Sequence, residues 1–500
     1  MAFSNMILVA SASRIVHCAL LAVLLLGGSE YSVACSDDVE CYGVNVCSSE
    51  GECAAPADCT ASNIQDKDDH IEIRGNGCRV TMEAIRVALP DAVTKEGDEY
   101  VLQKKVWVRD GCVLEIHGSS SASSSDAAVS LLKLKSDSSS NAPIVAYHGK
   151  ISIMNTAVMS YDESIDGPDE RLEDRAYIAA LSAENDDQTK TWESRMDVHD
   201  SEIAYLGNEG DYHNDINNTF GLVWKVEGYD DRYPGDLGIF DRIGVYGSLT
   251  ESSLHNNYIG AYCYGMKGSS VWRDNEVYDN ALVGINPQDN SDNMTITGNY
   301  IHDNGWHGLE YSKRCSGALV YNNVVEDNGR AGIFFHRSTD YADAYDNIAR
   351  RNSEGDFGIY ESIGVTIHDN TMEGGKYGIR ISMGAKDCDV YNNVMTNSTK
   401  YGVFFYRGSD EAEASIAWNG RPRENTIREN TISYPEEGQG VAVTDSDYNE
   451  ILDNVFIGIE SLRFDNSTET LVLGNVLPDG VSFNLDNGAT LAEGSQDATD

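Results

Sequence analysis

From Ser194 onward, short runs of alternating apolar and polar residues are separated by turn residues, and the alternation has the period of a strand. An asparagine returns in this frame at Asn257, Asn275, Asn299, Asn323, Asn347, Asn370 and Asn393, at steps of 18, 24, 24, 24, 23 and 23 residues. A step of 37 residues to Asn430, which fits one unit plus a loop around Ser409 to Pro422, leads on to Asn454 and Asn475. Past most of these asparagines stands a glycine followed by an apolar residue: Gly284, Gly308, Gly332, Gly358, Gly378, Gly402 and Gly440. No segment of the repeat is long or periodic enough for a helix. A period near two dozen, all strand, with one asparagine per unit, predicts an all-β fold, a right-handed parallel β-helix. Each coil would lie ~4.8 Å above the last, with the asparagines stacked as an internal amide ladder. A leucine-rich repeat has a similar period but needs a leucine frame that is absent here.

Ahead of the repeat the pattern changes twice. Thr81 followed by Met82 to Leu89 reads as a capped amphipathic helix ended by Pro90, placed to cover the open end of a solenoid. Strand-like alternation then begins at Tyr100-Val101-Leu102. Before the helix, Cys35, Cys41, Cys47, Cys53 and Cys59 follow at a strict six-residue step, and Cys78 and Cys112 come later. In an exported chain this reads as a disulfide-stapled module; no Cys-x2-Cys pair or interleaved His suggests zinc. Export is expected from Met1 to Ala34, where Arg14 and His17 precede the apolar run Cys18 to Leu26 and Ser32-Val33-Ala34 offers a cleavage site. That run is too short to span a membrane. The expected divisions are a signal peptide over 1–34, a cysteine-rich module over 35–78, a capping segment over 79–100, the β-helix over 101–480 and an acidic tail over 481–500. Sequons at Asn217, Asn293, Asn397 and Asn466 fit a secreted glycoprotein.

Charge narrows the function. A formal net charge of −45 argues against nucleic acid and against an anionic membrane as partners. It also means that an anionic substrate needs local positive charge. Counting thirteen and fourteen residues past the asparagines gives Gln288 and Asp289, Ser312 and Lys313, His336 and Arg337, and Tyr406 and Arg407, with Arg380 and Lys267 a few positions earlier in their coils. Stacked coils would align these as a strip of cations, suited to an acidic polymer such as a polyuronate. Chemistry on such a polymer begins with the proton beside the carboxylate. It needs a cation on the carboxylate, a base and an acid. Lys313 or Arg314, with Arg330 or Arg337, fit the first role, and His307 and His336 fit the others. No cofactor is required by this chemistry. Calcium is compatible with so acidic a surface, although no EF-hand-type ligand string occurs, and no metal ligands are assigned.

These residues carry a resemblance. The stretch from about Leu254 to Asn347 resembles the mannuronan C5-epimerases, which turn β-D-mannuronate into α-L-guluronate within alginate, and is most similar to their brown-algal and bacterial periplasmic members. The likeness rests on His255-Asn256-Asn257-Tyr258, Val271-Trp272-Arg273-Asp274-Asn275-Glu276, His307-Gly308 and Ser312-Lys313-Arg314-Cys315, with Ala204-Tyr205-Leu206-Gly207 upstream. It spans Val101 to Asn454 and implies alginate as the partner.

One slot departs from the family pattern. Where members carry Tyr-Gly-x-Asp-Pro-His-Asp/Glu, this chain reads Val283-Gly284-Ile285-Asn286-Pro287-Gln288-Asp289. Val has no proton to give, Asn carries no charge, and Gln is no base near neutral pH. Asp289 survives, and Asn286 and Gln288 are left as polymer-contacting groups. Three expectations follow: an epimerase whose proton work has moved to His307, His336 or a tyrosine such as Tyr311; a lyase on the same scaffold; or a non-catalytic member that binds alginate in an algal cell wall, the extracellular location that the resemblance implies.

Overall fold

The computed structural model describes residues 41–496 apart from 44, 48–51, 76, 139, 210–218, 229–236 and 409–416. The expected signal peptide, Cys35, the sequon at Asn217 and most of the loop after Ser409 lie outside the described residues. The chain winds as a parallel β-helix with three strands per coil. One coil shows the plan: Tyr300–His302 belongs to sheet I, Leu309–Ser312 to sheet II and Leu319–Tyr321 to sheet III. Each strand pairs in parallel with its counterparts in the coils before and after, as Ile296↔Val320↔Ala344 shows on sheet III. The ladders run wider than the expected 101–480. His70–Ile73 already pairs in parallel with Lys105–Val108, and Ser482–Asp486 still stacks on Ser461–Asp465. Sheet III holds 14 strands among the described residues, so the column is roughly 60 Å long.

Inside, equivalent side chains stack. The middle residues of successive sheet III strands, Trp272, Ile296, Val320, Ala344 and Ile367, are almost fully buried. At the corners two amide ladders run through the interior. In the first, each side-chain N–H donates to the next amide oxygen: Asn275 to Asn299 at 2.8 Å, Asn299 to Asn323 at 2.9 Å and Asn323 to Asn347 at 3.0 Å. It continues through Asn370, Asn393, Asn430 and Asn454 to Asn475. The second ladder was not expected. It joins Asn280, Asn304, Asn328 and Asn352, and ends on the Asp356 carboxylate at 3.1 Å. Asn257 belongs to this second column, because its backbone N–H donates to Asn280 Oδ1 at 3.0 Å. The 18-residue first step in the sequence was a jump between columns.

The recurring glycines mark a close approach between coils. A Cβ on Gly284 would sit 2.7 Å from the Gly308 carbonyl, and one on Gly308 2.9 Å from that of Gly332. Gly358 stands outside this column. Asp356 occupies the corner position, and Gly358 faces outward beneath the Phe334 ring.

A short helix packs at the N-terminal end of the coils. Thr81 caps the helix Met82–Ala88, accepting from the Ala84 N–H at 3.1 Å, and Met82 and Ile85 enter the main core. Disulfides join Cys41 to Cys53 and Cys59 to Cys78, and Cys47 is also disulfide-bonded. This segment is clamped to the coils: buried Lys150 donates to the Cys41 carbonyl at 2.6 Å, and the Gly43 N–H donates to Asp197 at 2.8 Å. Cys112, Cys263, Cys315 and Cys388 are buried free thiols. Among the described residues no helix is long and apolar enough to cross a membrane. Asn293, Asn397 and Asn466 are exposed.

A ladder asparagine makes bonds that alanine cannot replace. Asn323 donates to Ile296, Tyr321 and Asn347 and accepts from Asn299. Asn323→Ala should cost about 2–4 kcal/mol by denaturant unfolding, because it strands several buried groups. Asn323→Asp should be at least as damaging, since a carboxylate has no donor. A neutral effect of either would show that the ladder does not hold the coils.

Candidate functional site

Outside sheet II, the strand period presents two rows of side chains, one residue apart from the core positions. One row runs Gln288, Ser312, His336, Tyr360, Ser382, Tyr406. The other holds Asn286 and Glu310 and continues through Phe334, Gly358, Arg380 and Phe404. The register therefore brings the expected Gln288, Ser312, His336 and Tyr406 into line, with Asp289, Lys313, Arg337 and Arg407 just beyond them.

At the centre of the face the expected His336 pairs with Glu310, a residue the sequence pattern had not brought forward. His336 Nδ1 lies 3.4 Å from Glu310 Oε1 and 3.1 Å from Ser312 Oγ. Glu310 is buried. Burial pushes its carboxyl up, but the His336 hydrogen bond and the nearby His307 and Lys313 outweigh this and hold it below the usual value. With both partners on Nδ1, the imidazole is anchored through one nitrogen and Nε2 is the nitrogen left to meet a ligand. A hydrolase relay is excluded, because serine and carboxylate would have to sit on opposite ring nitrogens.

The next coils complete the arrangement. Tyr360 lies edge-on to the His336 ring at 5.9 Å, and its hydroxyl meets that of Tyr406 at 3.0 Å. Burial above all keeps the Tyr360 phenol protonated, pushing it well above its ordinary value. Arg380 lies over the Tyr360 ring at 4.5 Å and reaches Glu354 at 3.5 Å. A carboxylate-anchored imidazole, a protonated phenol and a guanidinium thus share one face within three coils. That set can hold a carboxylate and move a proton.

The other expected residues fall in several places. Tyr311 is a correction: it is fully buried and its hydroxyl approaches the Met294 carbonyl inside the coil at 3.4 Å, so it cannot touch a polymer. Its outward neighbour is Glu310. Lys267 is a second correction. Tyr264 occupies the row of Gln288, so Lys267 comes three residues later, at the corner beside Asp292, rather than before the row. The misplaced Asn257 caused this error of phase. Arg314 forms an ion pair with buried Asp289, which ties both to the corner. Arg337 lies 3.9 Å from Glu361. Arg330 lies across the sheet at the opposite edge, stacked 4.2 Å over Trp306. In the family slot, Gln288 donates to Asn286 Oδ1 at 3.0 Å and Asn286 donates to the Glu310 carbonyl at 2.8 Å, so both amides are engaged within the protein.

His307 does not join His336. The Phe334 ring lies between them, 4.8 Å from the first and 5.0 Å from the second. His307 Nδ1 accepts the Ala331 N–H at 3.1 Å, and burial pulls its pKa down to about 4. It is a neutral, poorly basic ring under the face.

Comparisons with known proteins agree with this architecture. Residues 204–349 match the family model of the right handed beta helix region, and residues 341–492 match that of the periplasmic copper-binding protein NosD. The sequence matches no curated protein. Among solved structures, the chain is similar to the periplasmic alginate epimerase AlgG, with 17% identity and a TM-score of 0.61 over 82% of this chain and 85% of that one. It is also similar to the A-module of the Azotobacter vinelandii mannuronan C-5 epimerase AlgE4, with 14% identity and a TM-score of 0.41 over 83% and 88%. The first likeness establishes a shared fold; the second is too loose to build on. Among the described residues the one close group of three ligand-type side chains is Cys59, Cys78 and Cys112, outside 341–492, and its first two members are disulfide-bonded.

His307 gives a test of this electrostatic picture. Its folded-state pKa lies below the ordinary 6.5, so the unfolded chain binds the proton first as pH falls. Its contribution is intact above pH 6.5 and is lost progressively toward pH 4, by up to about 3 kcal/mol. His307→Gln should flatten unfolding free energy against pH across that window; an unchanged slope would place the titration elsewhere.

Proposed function

We propose that this chain is an extracytoplasmic, epimerase-like protein that acts on alginate or a closely related polyuronate, with its proton chemistry moved one to three coils along sheet II from the family slot. The observation that carries the reading is the Glu310–His336 pair on the outward face, with Tyr360 and Arg380 in the following coils. Arg380, or Lys313 at the edge, neutralises the uronate carboxylate and makes the neighbouring C–H acidic. His336 Nε2 takes that proton while Glu310 stabilises the imidazolium on Nδ1. Tyr360 returns a proton from its phenol, and the hydroxyl of Tyr406 is placed to replenish it. Return to the opposite face of the carbon epimerises the sugar. Delivery to the glycosidic oxygen would cleave the chain, the lyase outcome of the same parts. Asn286 and Gln288, both hydrogen-bonded within the protein, favour one rival reading, a wall-associated binder in which the chemistry has been switched off.

Polymannuronate incubated with the purified protein in deuterated water should lose its H5 proton signal and gain guluronate signals. Glu310→Gln and His336→Gln should each slow this at least about a hundredfold. Gln288→Ala should leave the rate within about threefold. New unsaturated ends would assign a lyase. Binding without any spectral change would leave the binder.

A further inference from the structure

At the edge of sheet II beyond the reacting pair, the sequence repeats a tripeptide: Lys376-Tyr377-Gly378 and, one coil on, Lys400-Tyr401-Gly402. The register pairs Tyr377 with Tyr401. Their rings stack at 5.9 Å, and each lies 5.0 Å from Phe404. Phe404 in turn stacks on Tyr406 at 4.7 Å, so four rings form one cluster, in which Tyr377 and Tyr401 are buried. Above it, Lys376 Nζ lies 5.4 Å from the Tyr377 ring and Lys400 Nζ 5.1 Å from that of Tyr401.

Two features set this surface apart. Neither Lys376–Ser382 nor Lys400–Tyr406 contains an acidic residue, in a chain with 81 Asp and Glu against 36 Lys and Arg. The platform also ends sharply: Gln439 and Ala442 replace Tyr401 and Phe404 in the next coil. Lys376 is exposed, and Lys400 and Phe404 are partly so. The partly exposed Phe404 and Tyr406 rings, beside one ammonium group per coil, match a sugar ring that has an apolar face and a carboxylate. The coil rise of ~4.8 Å is close to the length of one pyranose in an extended chain, so each coil can meet one unit.

We infer that the duplicated Lys-Tyr-Gly coils form a binding platform for two successive acidic sugar units, separate from Glu310 and His336. This rests on the reading that the face takes an acidic polysaccharide. Lys376, Lys400 and Phe404 hold the chain by carboxylate and ring contacts and take no part in proton transfer.

The test is calorimetric binding of oligomannuronate long enough to reach from Gln288 to Tyr406, with a neutral mannan oligomer of equal length as comparison, on the full chain and on the Lys376→Gln/Lys400→Gln double variant. The acidic oligomer should bind the double variant about tenfold more weakly. The arginine pair Lys376→Arg/Lys400→Arg should restore binding, and the neutral oligomer should bind neither form. If turnover is present, the glutamine variant should raise KM and leave kcat unchanged. Equal affinity in parent and double variant would overturn the platform while leaving the acidic-polymer reading standing. Absence of acidic-oligomer binding to the parent would overturn both. Equal binding of the neutral oligomer would overturn the acidic class. Lys376 and Lys400 lie at the surface, and matching melting curves would confirm that the variants fold.

Discussion

The stacked side-chain amides of the corner asparagines are the constraint on which the rest depends. A parallel ladder alone does not fix which residue of one coil lies over which residue of the next, because a slip by two residues preserves the inward and outward faces. An asparagine whose amide N–H must meet the next amide oxygen, while also donating to a backbone carbonyl of the preceding coil, tolerates no slip. A buried amide out of place would lose several bonds at once. The two ladders bracket sheet I, so both the entry to sheet II and the exit from sheet III are pinned. Glu310 and His336 meet only because sheet II starts from a fixed corner in every coil.

The second organising feature is how the face avoids the charge of the whole. A strongly acidic protein repels an acidic polymer at long range, yet salt screens that repulsion within about a Debye length. What matters at contact is the local set, and here most carboxylates near the face are engaged: Asp289 with Arg314, Glu361 with Arg337, Glu354 with Arg380, and Glu310 with His336. The aromatic side chains serve the same end. They bury Tyr360 and so keep its phenol protonated, and they fill outward positions that acids occupy elsewhere on the coils.

Much of this was readable in the sequence, and the failures have physical causes. The first asparagine column, the all-β period and the alignment of Gln288, Ser312, His336 and Tyr406 followed from spacing alone. The second column escaped because Asn257 was counted with the first, and that single error put Lys267 on the wrong side of its row. Glu310 was passed over for Tyr311, although a period of two from Ser312 points to Glu310. The strand period fails at the corner itself, where Gly378 and Ile379 both turn inward and Tyr377 turns out. Sequence periodicity cannot show where a strand bends, and the edge of the face, with His307, Tyr377 and Tyr401, is built at that bend.

A solenoid also changes what the loss of a motif means. On a globular scaffold the residues of an active site have unique surroundings, and replacing the base removes it. Here every coil offers the same two outward positions on sheet II, so an imidazole one or two coils away has nearly the same backbone frame beneath it. What differs is the geometry between partners. Two residues apart on one strand, a carboxylate and an imidazole stand side by side, ~7 Å apart at their backbones. On a diagonal between adjacent coils they can meet directly, as Glu310 and His336 do at 3.4 Å. The diagonal pair thus anchors one nitrogen of the ring between neighbouring coils and leaves the other to meet a ligand.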